Sequence, residues 1–184
     1  MIRAATLTIC LAVPAVADPL DLIDYPGIFA QNADAVEEVS ETRKILRLGD
    51  ITLIHDPTEM RPYTGIDESG RGAAGCLVSV LASIDSALLA CEVALPAEQL
   101  PFQQDFTERA LQFYAENSSP AADMTTVTAR YADYVQSQVE GALPLCSNID
   151  LITNLADRLF TPAGEAQVTN ILSLPRLPVE NPCL

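Results

Sequence analysis

The feature that most constrains the fold is a long apolar segment that runs from Ala73 to Val93. The few polar residues that interrupt it include Ser79, Ser83 and Ser86, which recur at helical spacing and form a stripe of small residues. This pattern predicts a buried central helix with closely packed neighbours. Asp85 lies in its middle, and the uncharged stretch before it is shorter than the roughly 20 residues that span a bilayer. We therefore expect no stable membrane insertion.

Four more helices are predicted after the central helix, because apolar residues continue to recur every three to four positions. They cover residues 101–117, 120–141, 147–160 and 161–172. The third of them has an apolar stripe of Leu151, Leu155 and Leu159. The chain is thus predicted to be mainly α, a single-domain bundle of about five helices around a hydrophobic central helix at 73–93.

Residues 18–72 predict a lead-in, a short helix and a small hairpin. Residues 18–31 are predicted to be extended, residues 32–42 to be a short helix that Asp34 starts, and residues 57–75 to be a loop. Gly49-Asp50 separates two apolar runs, which is typical of a two-residue type II′ turn, so a hairpin at about 43–56 is favoured. Such a hairpin places Leu46, Leu48, Ile51 and Leu53 on one face. A helix from Asp34 to Leu48 followed by one strand is the competing interpretation.

Residues 1–17 have the three parts of an export signal. Arg3 supplies a positive start, Ala4 to Val13 is a short and mostly apolar run, and Ala15-Val16-Ala17 is a small-residue cleavage pattern. We expect cleavage after Ala17, which leaves residues 18–184 as one domain in the periplasm or outside the cell. Within it, residues 73–172 form the helical core and residues 173–184 an extended, proline-rich tail.

Four cysteines remain in that domain, and an even number in an exported chain predicts two disulfides. Cys76 and Cys91 both lie on the central helix, where they would be about 22 Å apart, whereas a disulfide needs Cα atoms within roughly 7 Å. Each must therefore pair with Cys146 or Cys183. We prefer Cys91 with Cys146 and Cys76 with Cys183, since the last bond would attach the tail to the body. The exchanged pairing stays open.

The strongly acidic composition bears on the choice of partners. The chain has a formal net charge of −15, and loss of the signal removes one basic residue and no acidic one. Such a surface repels nucleic acid and anionic lipid and attracts cationic proteins. Dispersed acids also simply keep a surface soluble, so a cationic partner is one interpretation of two.

The string Gly70-Arg71-Gly72-Ala73-Ala74-Gly75 matches the G-x-G-x-x-G pattern of dinucleotide-binding proteins. That function requires a preceding strand and a βαβ unit, and the sequence predicts a loop before the motif and a helix after it. No cofactor is therefore expected. A weaker hypothesis is an anion site made by Arg71, Gly72 and the free N–H groups at the start of the helix.

No combination of residues predicts catalysis. His55-Asp56 is the only histidine–carboxylate pair, and Ser69 is a nucleophile without a recognisable motif. Without C-x-x-C, neither a metal site nor a redox pair is expected. Three functions remain in view: a non-catalytic interaction module, a small-ligand carrier with an apolar pocket between helices, and a hydrolase that uses His55 or Ser69. The interaction module is preferred.

Overall fold

A computed structural model describes residues 18–181 and 183, which are mainly helical and include a four-stranded antiparallel sheet. The expected mainly α class is confirmed at this level. The export signal at residues 1–17 lies outside the described residues and stays a prediction. Among the helices of the described part, none is long and apolar enough to cross a bilayer.

The five helices predicted after residue 72 are present, together with one earlier helix. The α-helices are α1 Tyr25–Gln31, α2 Ala74–Ala90, α3 Leu100–Asn117, α4 Met124–Ala142, α5 Asp150–Leu159 and α6 Pro162–Ile171. The central helix α2 is mostly buried and packs against α3, α4 and α5. Helix α1 precedes the sheet, and 3-10 helices cover Ala33–Ala35 and Leu143–Asn148.

The predicted hairpin is confirmed, and the alternative helix from Asp34 to Leu48 is wrong. The four strands are β1 Glu37–Glu38, β2 Lys44–Leu48, β3 Ile51–His55 and β4 Tyr63–Asp67, and each pairs with the next. Leu46 lies opposite Leu53 and Leu48 opposite Ile51, so one face collects the apolar residues as expected. Gly49 has a φ of 60° in the turn, a value that glycine adopts at little cost.

Four sequence predictions before residue 125 are wrong. Residues 18–31 are not extended throughout, because they contain α1, which the Asp24 carboxylate caps by accepting the Gly27 N–H. Residues 32–42, predicted to be a short helix, contain a 3-10 helix at Ala33–Ala35 and strand β1 at Glu37–Glu38. The predicted loop at 57–75 contains β4, which pairs with β3 along its whole length. Helix α4 begins at Met124 rather than Pro120, where the Asp123 carboxylate accepts the Thr126 N–H.

The buried side chains of the described residues form two hydrophobic clusters. The larger one surrounds α2 and includes side chains of α3 to α6. The smaller one joins the inner face of the sheet to α1 and to Val179 of the tail. Residues 175–180 of the tail form neither helix nor strand, and Val179 packs directly onto Gly65, where a side chain would collide with it.

The tail also forms backbone hydrogen bonds with both elements that it crosses. The Gly75 N–H donates to Val179 O at 2.9 Å, and the Asp67 N–H donates to Asn181 O at 2.8 Å. The structure contains the preferred pair of disulfides, Cys76–Cys183 and Cys91–Cys146, with Cα–Cα distances of 5.0 and 5.3 Å. One disulfide therefore attaches the tail near the start of α2, and the other attaches a 3-10 helix near its end.

Candidate binding cleft

An open cleft of about 460 Å³ lies between the start of α2, α5 and α6. Most of its surface is apolar, and its walls come from one face of each of the three helices. The apolar lining residues are Leu77, Val80, Leu155, Leu159, Val168 and Ile171, with Ala73 beside them. Arg158 and Gln167 supply polar groups at the mouth, and Cys76 places a disulfide at its edge.

The leucine stripe of α5 continues out of this cleft onto the surface. Leu155 and Leu159 line the cleft, and Leu151 lies one turn further along the same face. Leu151 is 59% exposed and Leu155 is 39% exposed, whereas Ala156 and Phe160 of the same segment are buried. The predicted stripe therefore exists but faces outward for half of its length. Adjoining exposed leucines of this kind are typical of interaction surfaces.

Arg176, a tail residue whose side chain is only 6% exposed, joins three residues that line the cleft. Its guanidinium forms an ion pair with Asp67 at 2.5 Å, and the Asp67 side chain is 1% exposed. The guanidinium also donates to Gly72 O at 2.7 Å and to Ile171 O at 2.8 Å. One buried cation thus connects the end of β4, the glycine-rich loop and the end of α6, and fixes the shape of this side of the cleft.

Of the predicted anion site, Gly72 lines the cleft, whereas Arg71 does not. The Arg71 guanidinium donates to Asn170 Oδ1 and Ser173 Oγ, both at 3.0 Å. The Gly75 N–H in the first turn of α2 donates to the tail, so part of the expected donor set already has partners. The glycines have backbone roles, since Gly70 and Gly72 have φ values of 70° and 96° and Gly75 contacts the tail backbone. The anion site stays a prediction.

The structure does not bring His55 and Ser69 together. His55 stacks on Tyr63 at one end of β4, with 4.5 Å between the ring centroids. Ser69 follows the other end of the strand, where its N–H donates to Asp67. The length of β4 separates them by about 13 Å at roughly 3.3 Å per residue. In residues 18–181 and 183, no three side chains of metal-ligating type gather into a site.

A partly buried polar cluster at the side of the bundle connects α2 to α3 and α4. Asp85 accepts hydrogen bonds from Gln103 of α3 at 2.5 Å and from the Tyr131 hydroxyl of α4 at 2.6 Å. Burial, followed by the negative charge of Asp85, raises the pKa of Tyr131 well above its ordinary value, so this hydroxyl stays a donor. The cluster has the geometry of a structural contact, because both of its donors are used within the bundle.

Comparison with protein-family models, with curated proteins and with solved structures finds no match to this chain.

Sequence reasoning missed Asp67 and Arg176, which are 109 residues apart and have no local pattern that links them. The one feature that could have indicated this ion pair was Arg176 itself, a single arginine in an apolar, proline-rich tail. That tail was expected to be joined to the body of the protein by a disulfide of Cys183.

Proposed function

We propose that the protein is an exported, non-catalytic binding module, processed after Ala17, that takes an apolar polypeptide segment with basic flanks into the cleft of α5 and α6. The observation that carries this proposal is the leucine stripe that leaves the cleft and stays exposed at Leu151 and Leu155. Two leucines exposed to water on one face are unfavourable in the unbound protein. A partner that covers them removes this apolar surface from water, which favours binding.

Charge favours a basic partner. The whole chain has a net charge of −15, and α5 and α6 together carry the carboxylates of Asp150, Asp157 and Glu165 against the single cation of Arg158. Opposite charge around an apolar centre speeds association and selects among partners, while the apolar contacts supply affinity. The cleft volume of about 460 Å³ falls within the usual range of binding sites.

A synthetic helical peptide of leucine and lysine tests the proposal directly. We expect it to bind the protein, and we expect Leu151→Ser with Leu155→Ser to weaken binding about tenfold or more, since each leucine contributes roughly 1.5 kcal/mol when buried. Fluorescence anisotropy at two salt concentrations measures both the affinity and its electrostatic part.

The matched control changes two other exposed leucines, Leu143→Ser with Leu145→Ser, which are 54% and 38% exposed and do not line the cleft. This variant should bind as the unchanged protein does. A peptide of leucine and glutamate should not bind. Equal losses in the two double variants, or equal affinity for the two peptides, would show that the cleft is not the binding site.

A second candidate function is transport of a small amphiphile, favoured by the cation of Arg158 in a mostly apolar cleft. An acidic head group would pair with this guanidinium while the apolar chain filled the space between the helices. Dodecanoate should then raise the melting temperature of the protein, and Arg158→Gln should remove this effect. The same substitution should leave the affinity for the basic peptide unchanged or raise it, which separates the two functions.

A further inference from the structure

Asp18, the first residue after the proposed cleavage point, has a buried carboxylate with four hydrogen-bond donors. The residue is 3% exposed. Its carboxylate accepts the N–H groups of Leu20, Leu22 and Ile23 at 3.1, 2.5 and 2.9 Å. The Tyr114 hydroxyl of α3 donates to it at 3.2 Å. This carboxylate therefore organises the turn at residues 18–23 and joins it to the helical core.

All four donors are neutral. None of the ion pairs found in residues 18–181 and 183 includes Asp18. Burial raises the pKa of the Asp18 carboxyl, against the opposite effect of its hydrogen bonds. Its negative charge in turn contributes to raising the pKa of Tyr114 and Tyr25, whose pKa values rise mainly through burial. The Tyr25 hydroxyl is buried with no hydrogen-bond partner in the described part of the chain.

We propose that cleavage after Ala17 creates the missing cation, the α-ammonium group of Asp18, and that this group forms a buried ion pair with the Asp18 carboxylate. Hydrolysis of the peptide bond between Ala17 and Asp18 adds one water: the Ala17 carbonyl becomes a carboxylate and the Asp18 nitrogen becomes an ammonium. Four covalent bonds connect that nitrogen to the carboxylate oxygens, so the new charge forms within about 4 Å of them. This inference rests on the proposed processing site.

The consequence is that processing stabilises the fold. Before cleavage, the Asp18 nitrogen is a neutral amide, and the carboxylate has only neutral donors in a place from which water is excluded. After cleavage, an opposite charge lies beside it, and a cation within about 4–6 Å favours the ionised carboxylate strongly. The ammonium also brings two more N–H donors than the amide had, and these serve a buried polar region in which the Tyr25 oxygen lacks a partner.

The test compares two chains that differ by one residue at the start, one beginning at Asp18 and one beginning at Ala17. Both contain the two hydrophobic clusters and the two disulfides, so both hold the folded part of the protein. We expect the chain from Ala17 to melt about 4 °C lower or more, since roughly 1 kcal/mol shifts the melting temperature of a chain of this size by about 2–4 °C.

The Asp18→Asn substitution in both chains separates charge pairing from simple crowding by the extra residue. With D18N the difference in melting temperature should shrink to about 1 °C or less, because no negative charge remains to pair. Tyr114→Phe is the matched control: it removes one donor and keeps the carboxylate, so the difference should persist. An equal difference with and without D18N overturns the proposal.

A direct titration keeps the proposal testable even if D18N does not fold. By nuclear magnetic resonance, the α-amino pKa of the chain from Asp18 should exceed that of the chain from Ala17 by about one unit or more, the latter having the ordinary value of about 8. Equal values overturn the ion pair. N-terminal sequencing of the exported protein examines the cleavage point separately, and neither result depends on whether the cleft binds a peptide.

Discussion

Two buried carboxylates, Asp18 and Asp67, hold the two ends of the described chain in different ways. Asp67 lies opposite the guanidinium of Arg176, so the tail carries its own compensating charge. Asp18 accepts only N–H and O–H groups, and the cation that would complete its site is created by processing under our proposal. The comparison shows that a buried charge can be balanced either by the sequence itself or by a covalent change made later.

The largest expected effect is on the paired carboxylate. Arg176→Met should lower the free energy of unfolding by about 3–5 kcal/mol, because it leaves Asp67 buried and unpaired. Urea denaturation measures this loss. Adding Asp67→Asn should restore a large part of it, since a neutral amide is easier to bury than an unpaired charge.

Arg71→Met is the matched control for the loss of a guanidinium in the same region. Arg71 makes two exposed hydrogen bonds, to Asn170 and Ser173, and no ion pair of the described residues includes it. Arg71→Met should lower the free energy of unfolding by less than about 1 kcal/mol. A comparable loss at both positions would mean that the buried ion pair has no special part in holding the tail.

The next effect concerns the covalent attachment, which the tail has in addition to its ion pair. Cys76→Ser with Cys183→Ser should lower the free energy of unfolding by about 3 kcal/mol, chiefly by releasing a constraint on the unfolded chain. The Gly75 and Asp67 amides should stay protected from hydrogen exchange, because Arg176 and Val179 still hold the tail.

Removal of Cys91 and Cys146 provides the contrast. In that variant the exchange of amides at residues 143–148 should accelerate, because this 3-10 helix has exposed leucines and no buried ion pair. Loss of protection in the tail after removal of Cys76 and Cys183 would show that the disulfide, rather than Arg176, determines where the tail lies.

The smallest effect is a pH dependence at the carboxylate without a cation. In the chain from Ala17, burial raises the folded-state pKa of Asp18 above the ordinary unfolded value of about 3.9. The native state then keeps a proton that the unfolded state has lost. Stability from this group is therefore present at low pH and lost as pH rises through the folded pKa.

The expected slope is at most about 1.4 kcal/mol per pH unit. Urea denaturation at a series of pH values above about 3.9 should show that D18N removes this downward slope from the chain from Ala17. Tyr25, Tyr114 and Glu180 act on the same region, so both chains must retain them. In the chain from Asp18, the ammonium should reduce the slope. Identical dependences of stability on pH for the chain from Ala17, its D18N variant and the chain from Asp18 would mean that Asp18 titrates as an exposed acid does.

Local patterns predicted the elements that depend on local physics. Alternation around Gly49-Asp50 predicted the hairpin, and apolar periodicity predicted α2 to α6. The length of α2 alone excluded a bond between Cys76 and Cys91. The helix at 25–31 had a readable signal, an Asp24 cap followed by Pro26, but the two prolines and Gly27 of residues 18–31 favoured an extended segment instead.

The elements that sequence reasoning missed depend on distant partners. Strand β4 contains Gly65, which disfavours a strand in isolation, and the structure needs that glycine because Val179 occupies the space of its side chain. In the cleft, the sequence predicted the leucine stripe of α5 but not that part of it is exposed. The stripe is partly exposed because Ala156 and Phe160 occupy the core positions. Which side of an amphipathic helix faces the core depends on how its neighbours pack.

The position of the tail at the end of β4 predicts protection from aggregation. A strand at the edge of a sheet has unpaired N–H and C=O groups that can pair with another chain. Here the tail pairs with the end of β4, where the Asp67 N–H donates to Asn181 O, and the opposite edge is β1, only two residues long and made of Glu37 and Glu38. Variants that release the tail would therefore expose the unpaired backbone groups of β4 and the apolar surface at Gly65 that Val179 covers. Their failure would be seen as fibrils or oligomers that grow with protein concentration, even where the helical bundle remains intact.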